Sequence, residues 1–220
     1  MCIRDSSMAS AFEHDNPSSF ATESKNTTHI TVADENGSIV SMTQTLNDAF
    51  GSRVTVPGTG VLLNNTMYNF DPHPGNANSI EPGKRVLSSM APITIFKEGK
   101  PFMSLGTPGA RRIFPSVLQG IINVIDHNMS LQEAVEAPRI WTQGQNLELE
   151  PDISPDAVEP LKRKGHTIEA VDRVAGGMNG VLFDSNGSIH GAACWRADGS
   201  PIALSGGAAT IKGSNPMFRV

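Results

Sequence analysis

Thr27 opens an alternating run, Thr28-His29-Ile30-Thr31-Val32-Ala33. This period-two pattern predicts a β-strand that carries a hydroxyl at its start. Asp34-Glu35-Asn36-Gly37 then gives a turn signal, and Ser38 to Asn47 returns as a second strand. A threonine in that place permits a particular chemistry once the Asn26–Thr27 bond is cut. Its hydroxyl can attack an amide carbonyl while its own freed α-amino group serves as base. Thr27 is internal in this chain, so the chemistry requires cleavage between Asn26 and Thr27 first. The other reading is an ordinary strand-opening residue, and the hairpin by itself does not separate the two.

Two further hairpins accompany the first. Ile93 to Phe96 turns at Lys97-Glu98-Gly99-Lys100 and returns through Phe102 to Leu105. Val181-Leu182-Phe183 turns at Asp184-Ser185-Asn186-Gly187 and returns through Ser188-Ile189-His190, repeating the turn chemistry of Asp34 to Ile39. Helical signals cluster between the second and third hairpins. Pro115 sits in a first turn, followed by Val117, Leu118, Ile121, Ile122 and Ile125 at helical spacing. Ser130-Leu131-Gln132-Glu133 reads as a capping box for a short helix ending before Pro138. Ser154 caps another, with Pro155 in its first turn and Gly165 as its stop. Strands, then two or three helices, then strands again predict an α+β fold with helices on antiparallel sheets.

The length of 220 residues suits one domain that can bury a core without disulfides. A formal net charge of -5, with no dense Lys/Arg run, argues against a nucleic-acid surface. No apolar run reaches the roughly 18 residues of a membrane span. The two cysteines, Cys2 and Cys194, stand at opposite ends, and the six histidines form no ligand-like pair, so neither a metal nor another cofactor is expected. Cys194 reads as a small apolar packing residue rather than a nucleophile.

Seven segments, in this order, resemble the small catalytic subunit of γ-glutamyltransferases, also called glutathione hydrolases: Thr27-Thr28-His29; Thr45-Leu46-Asn47; Gly60 to Asn65; Pro82 to Met90; Gly106-Thr107-Pro108-Gly109-Ala110; Glu133 to Arg139; and Gly165-His166. The resemblance runs from Thr27 to about Gly207. It implies the four-layer αββα fold of N-terminal-nucleophile hydrolases, here in part because the large subunit is absent. It also implies that residues 1–26 are a leader and the tail of the large subunit, while 27–220 form the catalytic small-subunit domain. The partners it implies are that large subunit from the same precursor, an acyl-amide donor and an amine acceptor. A periplasmic or extracellular location follows from the same resemblance.

Residue by residue, the resemblance makes Thr27 the nucleophile, and Asn26 and Thr27 the cleavage site. Thr45 becomes the hydroxyl that tunes Thr27. Asn47, expected on the same strand face as Thr45, contacts the glutamyl end of the substrate. Ser88 and Ser89 match a pair that binds the substrate α-carboxylate. Nearby Lys84 and Arg85 either add positive potential or form a solvated surface pair. Gly109 and Ala110 match a glycine pair whose N–H groups form the oxyanion hole, each donor worth about 3 kcal/mol. Ala110 is expected to be tolerated there if its φ is not positive.

The departures bear on the substrate. Thr66-Met67-Tyr68-Asn69-Phe70 stands where the family carries Gln or Glu, Met, an acidic pair and Phe. Thr66 and Asn69 therefore fall in the pocket for the substrate ammonium, with an amide replacing the carboxylate. The link from Phe70 to Lys84 is short and lacks the lid loop of many members, as in the related cephalosporin acylases. Three functions follow as expectations. One is γ-glutamyl hydrolysis and transfer on glutathione-like donors, through a threonyl acyl-enzyme passed to water or to an amino acid or peptide. The second is acylase action on a non-glutamyl amide, and the third a non-catalytic homologue.

Overall fold

In the computed structural model, which describes residues 26–144 and 146–204, two hairpins are closed by the same device. Asp34 Oδ1 accepts hydrogen bonds from Asn36 N at 3.0 Å and Ser38 N at 2.8 Å, and Gly37 takes φ 83°. The Ser38 N–H holds the Asp34 carboxyl below the usual carboxylate range. This turn joins β1 (Thr27–Ala33) to β2 (Ile39–Thr45) in an antiparallel pair that sets Thr27 opposite Thr45. Asp184 Oδ1 repeats the pattern on Asn186 N at 2.8 Å and Ser188 N at 2.9 Å, joining β8 (Asn179–Phe183) to β9 (Ile189–Ala193).

The middle hairpin, β3 (Ile93–Lys97) and β4 (Lys100–Gly106), lies beside β8 and β9 in a four-stranded antiparallel sheet ordered β3-β4-β8-β9. Helices α1 (Ile113–Ile125) and α2 (Leu131–Glu136) pack on this sheet. Met103, Leu105, Ile113, Val117, Val135 and Met178 form its buried centre, each side chain worth about 1.5–3 kcal/mol on removal from water. Gly120 lets α1 sit this close, since a Cβ there would meet Met178 Sδ at 2.9 Å and Leu105 Cδ1 at 3.1 Å. Ser130 and Glu133 form the expected reciprocal cap of α2. Ser154 caps α3 (Pro155–Arg163), and Gly165 follows it at φ 91°.

A third sheet was not anticipated from the sequence. β5 (Ile140–Trp141) and β6 (Leu147–Leu149) are antiparallel, and β6 pairs in parallel with β7 (Ile168–Ala170). Arg112 ties it to the start of α1, with a two-pronged ion pair to Glu148 at 3.0 and 2.8 Å and its guanidinium 4.3 Å from the Trp141 ring. The chain is thus α+β. Cys194 is buried, as a packing residue should be. Among the described residues no helix is long and apolar enough to cross a membrane, and no group of His, Cys, Asp and Glu could hold a metal ion. The segment read as leader and large-subunit tail, Asn26 excepted, lies outside the described residues, as do residues 205–220.

Two apolar faces are open. Ile30 and Met42, paired across β1–β2, are each 42 % exposed, and the neighbouring pair Val32 and Val40 are 57 and 59 % exposed. On α1, Phe114, Leu118 and Ile125 are also exposed.

Candidate active site

Thr27 and Thr45 end their strands side by side, and the Thr27 hydroxyl donates to Thr45 Oγ1 at 2.8 Å. Thr45 Oγ1 also accepts from Asn47 N at 2.8 Å and donates to Asn26 O at 3.4 Å. One hydroxyl thereby uses its single proton and both lone pairs. The Asn26 carbonyl, the one that precedes Thr27, receives a second donor from Leu46 N at 3.3 Å. A hydroxyl beside a carbonyl polarised by two donors is a geometry suited to attack on the Asn26–Thr27 bond.

Asn47 does not continue the strand. β2 ends at Thr45, and Asn47 adopts φ 72°, so the expectation that it shares a pleated face with Thr45 is corrected. The physical reason is local. Its N–H turns back onto Thr45 Oγ1 instead of entering the ladder, and asparagine tolerates left-handed backbone better than most residues. The turn aims Asn47 Oδ1 at Asn69 Nδ2, which donates to it at 3.3 Å. Asn69 lies at the end of a 3₁₀ turn, Thr66–Asn69, whose approach is pinned by Asn65 Nδ2 donating to Asp48 Oδ2 at 2.7 Å. Thr27, Thr45, Asn47 and Asn69 therefore form one hydrogen-bonded series. Thr66 is turned away from it, donating through N and Oγ1 to Asn64 Oδ1. Ser88 and Ser89 lie in the extended segment before β3, where Ser88 Oγ accepts from Met90 N at 3.2 Å.

Gly109 and Ala110 link β4 to α1. Gly109 has φ 139°, and a Cβ there would strike Ala175 Cβ at 2.5 Å. Ala110 has φ 48°, in the left-handed region, so the condition on which this alanine was expected to be easily tolerated is not met. Such a backbone costs an alanine roughly 1–2 kcal/mol. Pro108, directly before the pair, lines a cavity of about 320 Å³ together with Thr27, Met178, Asn179, Cys194 and Asp198.

Several residues of this neighbourhood carry no chemical signal in the sequence. His29 follows the two threonines but is no base for them. It is 3 % exposed, and its ring nitrogens bond Thr43 Oγ1 at 2.8 Å and Thr31 Oγ1 at 2.9 Å. Burial lowers its pKa to about 4, so the ring is neutral and structural near pH 7. Asn179 Nδ2 donates to His29 O at 2.7 Å and anchors β1 to β8. Arg139, Glu150 and Arg196, all buried, form an ion cluster behind the Gly109 segment. Burial lowers the Arg139 pKa to about 10, which leaves it charged at neutral pH.

A family model described as gamma-glutamyltranspeptidase matches residues 2–204. An acylase ACY 1 proenzyme of Pseudomonas sp. (strain SE83) is 60 % identical over 187 residues, covering 85 % of this chain and 34 % of the relative. A glutathione hydrolase proenzyme of Bacillus subtilis (strain 168) is 39 % identical over 180 residues, covering 81 % of this chain and 31 % of the relative. The chain thus spans about a third of the length of these curated relatives. A solved variant of the γ-glutamyltranspeptidase of Pseudomonas nitroreducens superposes with a TM-score of 0.72 at 34 % identity, over 81 % of this chain and 100 % of that one. With a family model matching residues 2–204, which span all of the described residues, the chain belongs to the γ-glutamyltranspeptidase family.

Proposed function

We propose that residues 27–220 are the catalytic part of a self-processing amidohydrolase and acyltransferase, completed by a large subunit from the same precursor into a four-layer αββα body. The observation that carries this reading is the Thr27 hydroxyl on Thr45 beside an Asn26 carbonyl held by two donors. Attack by Thr27 on that carbonyl, rearrangement to an ester and hydrolysis free the Thr27 amine. The same hydroxyl then attacks an acyl donor, the N–H groups of Gly109 and Ala110 receive the developing oxyanion, and water or an amine takes the acyl group from the ester. The open face of Ile30, Val32, Val40 and Met42 supports the missing partner, since apolar pairs on a strand face gain from burial. A periplasmic or extracellular location is part of the same proposal and rests on the family resemblance.

For the acyl group, we favour a donor without an α-ammonium over a γ-glutamyl donor. Asn69 offers an amide where a carboxylate would pair with the ammonium, and its Nδ2 is engaged by Asn47. The 60 % identity to an enzyme named acylase points the same way. γ-Glutamyl transfer is the second reading, supported by the glutathione hydrolase relatives. In this proposal Asn47, Asn69, Ser88 and Ser89 face the donor's acid end, and Thr66 supports their loop.

One experiment addresses both levels. The full precursor and its Thr27→Ala variant are run on a denaturing gel, and the processed enzyme is assayed on glutaryl and γ-glutamyl p-nitroanilides. The wild type should yield two fragments and prefer the glutaryl anilide, and Thr27→Ala should remain one uncut, inactive chain. Two fragments from Thr27→Ala would exclude self-cleavage. No turnover of either anilide would leave a non-catalytic homologue.

A further inference from the structure

The segment Gly109–Ala110 does not keep its shape alone. Its two φ values are matched by a third, Ala175 at φ 61°, in the loop that packs on Gly109. Two adjoining loops with left-handed alanines persist only where their surroundings over-determine them. Those surroundings are polar and buried. Thr107, fully buried, places its hydroxyl 3.0 Å from Pro108 O and 3.0 Å from Gly176 O. Gly176 N donates to Pro108 O at 2.9 Å, closing the bond between the loops.

Behind Thr107 stands the ion cluster. Glu150 Oε1 accepts from Val174 N at 2.6 Å, while Arg139 Nη1 donates to Val174 O at 3.2 Å and Gly176 O at 3.1 Å. Val174 is thus gripped at both ends of its backbone. Glu150 is itself held by Arg139 N at 2.7 Å and by two nitrogens of the Arg196 guanidinium. Arg196 reaches on to the carbonyls of Val135 at 3.0 Å and Ala137 at 2.9 Å, at the end of α2. A continuous set of hydrogen bonds therefore runs from α2 through the Val174–Gly176 loop to Pro108.

We propose that Thr107, backed by Arg139, Glu150 and Arg196, is a positioning residue that fixes the direction of the Gly109 and Ala110 N–H groups and thereby sets the rate of acylation. The proposal rests on the reading that these N–H groups receive the oxyanion. Backbone donors stabilise a transition state only when already aimed at it, and a misplacement of about 1 Å can cost about 100-fold. Loss of the Thr107 hydroxyl leaves Pro108 O with Gly176 N, and Gly176 O with Arg139. The fold should therefore survive while the register between the two loops loosens.

The test uses the processed two-subunit enzyme made from the full precursor, with glutaryl p-nitroanilide as donor and active sites counted by the mass of the subunit beginning at Thr27. Thr107→Val should lower kcat about 10- to 100-fold with KM changed less than about twofold, and Thr107→Ser should restore most of it. Affinity for a phosphonate that mimics the tetrahedral intermediate should fall in step with kcat/KM, whereas affinity for the product acid should not. Wild-type kcat in a processed Thr107→Val enzyme overturns the inference, as does a loss confined to KM or one that serine fails to restore. If Thr107→Val does not process, Arg139→Lys decides. It keeps the charge but not the guanidinium that holds Val174 O and Gly176 O through Nη1 while Nη2 anchors it on Val135 O, so it should show the same kcat-selective loss, and a wild-type kcat there overturns the inference. A wild-type enzyme inert toward both the glutaryl and γ-glutamyl anilides would instead remove the functional reading on which the inference rests.

Discussion

The two sides of Thr27 are built on opposite principles. On the Asn47–Asn69 side the chain is exposed, and its order comes from short asparagine and aspartate contacts along a loop. Tyr68 and Met67 there are both 63 % exposed. On the Gly109 side the backbone is strained and buried, and the buried side chains of Arg139, Glu150 and Arg196 brace it. Solvent-exposed hydrogen bonds contribute little each, so residues can be exchanged on the first side at small cost to the fold. On the second side loss of Glu150 or Arg196 strands a buried charge. The contrast teaches where this chain tolerates substitution beside Thr27 and where it does not.

The largest expected effect breaks the braced side. Glu150→Ala leaves the buried Arg196 guanidinium without its carboxylate, and the N–H groups of Arg139 and Val174 without their acceptor, and should cost about 3–5 kcal/mol in urea unfolding. Asn65→Ala on the exposed side should cost about 1 kcal/mol. Equal losses would erase the distinction. Next in size is a change of substrate on the exposed side. Asn69→Asp should add a charge pair to a γ-glutamyl donor worth about 1–2 kcal/mol, or about 5- to 30-fold in kcat/KM. A glutaryl donor should gain nothing, because an unpaired carboxylate would face its methylene chain. The two p-nitroanilides measured on one processed enzyme check this, and a parallel response would show that Asn69 does not read the ammonium. The smallest effect sharpens the claim of strain. Ala110→Gly should relieve about 1–2 kcal/mol of left-handed strain and return part of it through a freer unfolded chain, for a net stabilisation of about 0.5–1 kcal/mol. A lower melting temperature in that variant would mean that the Ala110 backbone is not strained.

What the sequence disclosed and what it withheld divide along the range of the forces involved. The hairpins at Asp34 and Asp184 and the cap at Ser130 were legible because their determinants lie within about five residues of one another. The contact of Thr27 with Thr45 was implied by the family resemblance, and the turn between them accounts for it in the register of β1 and β2. Asn47 escaped because a side-chain acceptor two residues back, Thr45 Oγ1, outcompeted the strand ladder. The sheet of β5, β6 and β7 escaped because strands of two or three residues show no period. Arg139, Glu150 and Arg196 are separated by 11 and 46 positions, and only the fold brings them together. Ala110 had a visible signal, a side chain where its relatives' pattern has glycine, but its angle is set by Ala175 and Gly176 across the loop.

The β1–β2 turn has a further consequence, for drift in sequence length. Thr27 lies six residues, or about 20 Å of strand, from Ala33, where the turn begins, yet the turn alone decides which residue faces it. With the present count between Asp34 and Ser38, that residue is Thr45. One residue added among Glu35, Asn36 and Gly37 and absorbed as a shift of the ladder would bring Gln44 or Leu46 opposite Thr27, with no change at the site itself. The loop is thus a length gauge for the proposed nucleophile, Thr27. Its residues are open to substitution wherever the Asp34 contacts survive, but an insertion or deletion that shifts the register separates Thr27 from Thr45 and breaks their 2.8 Å hydrogen bond.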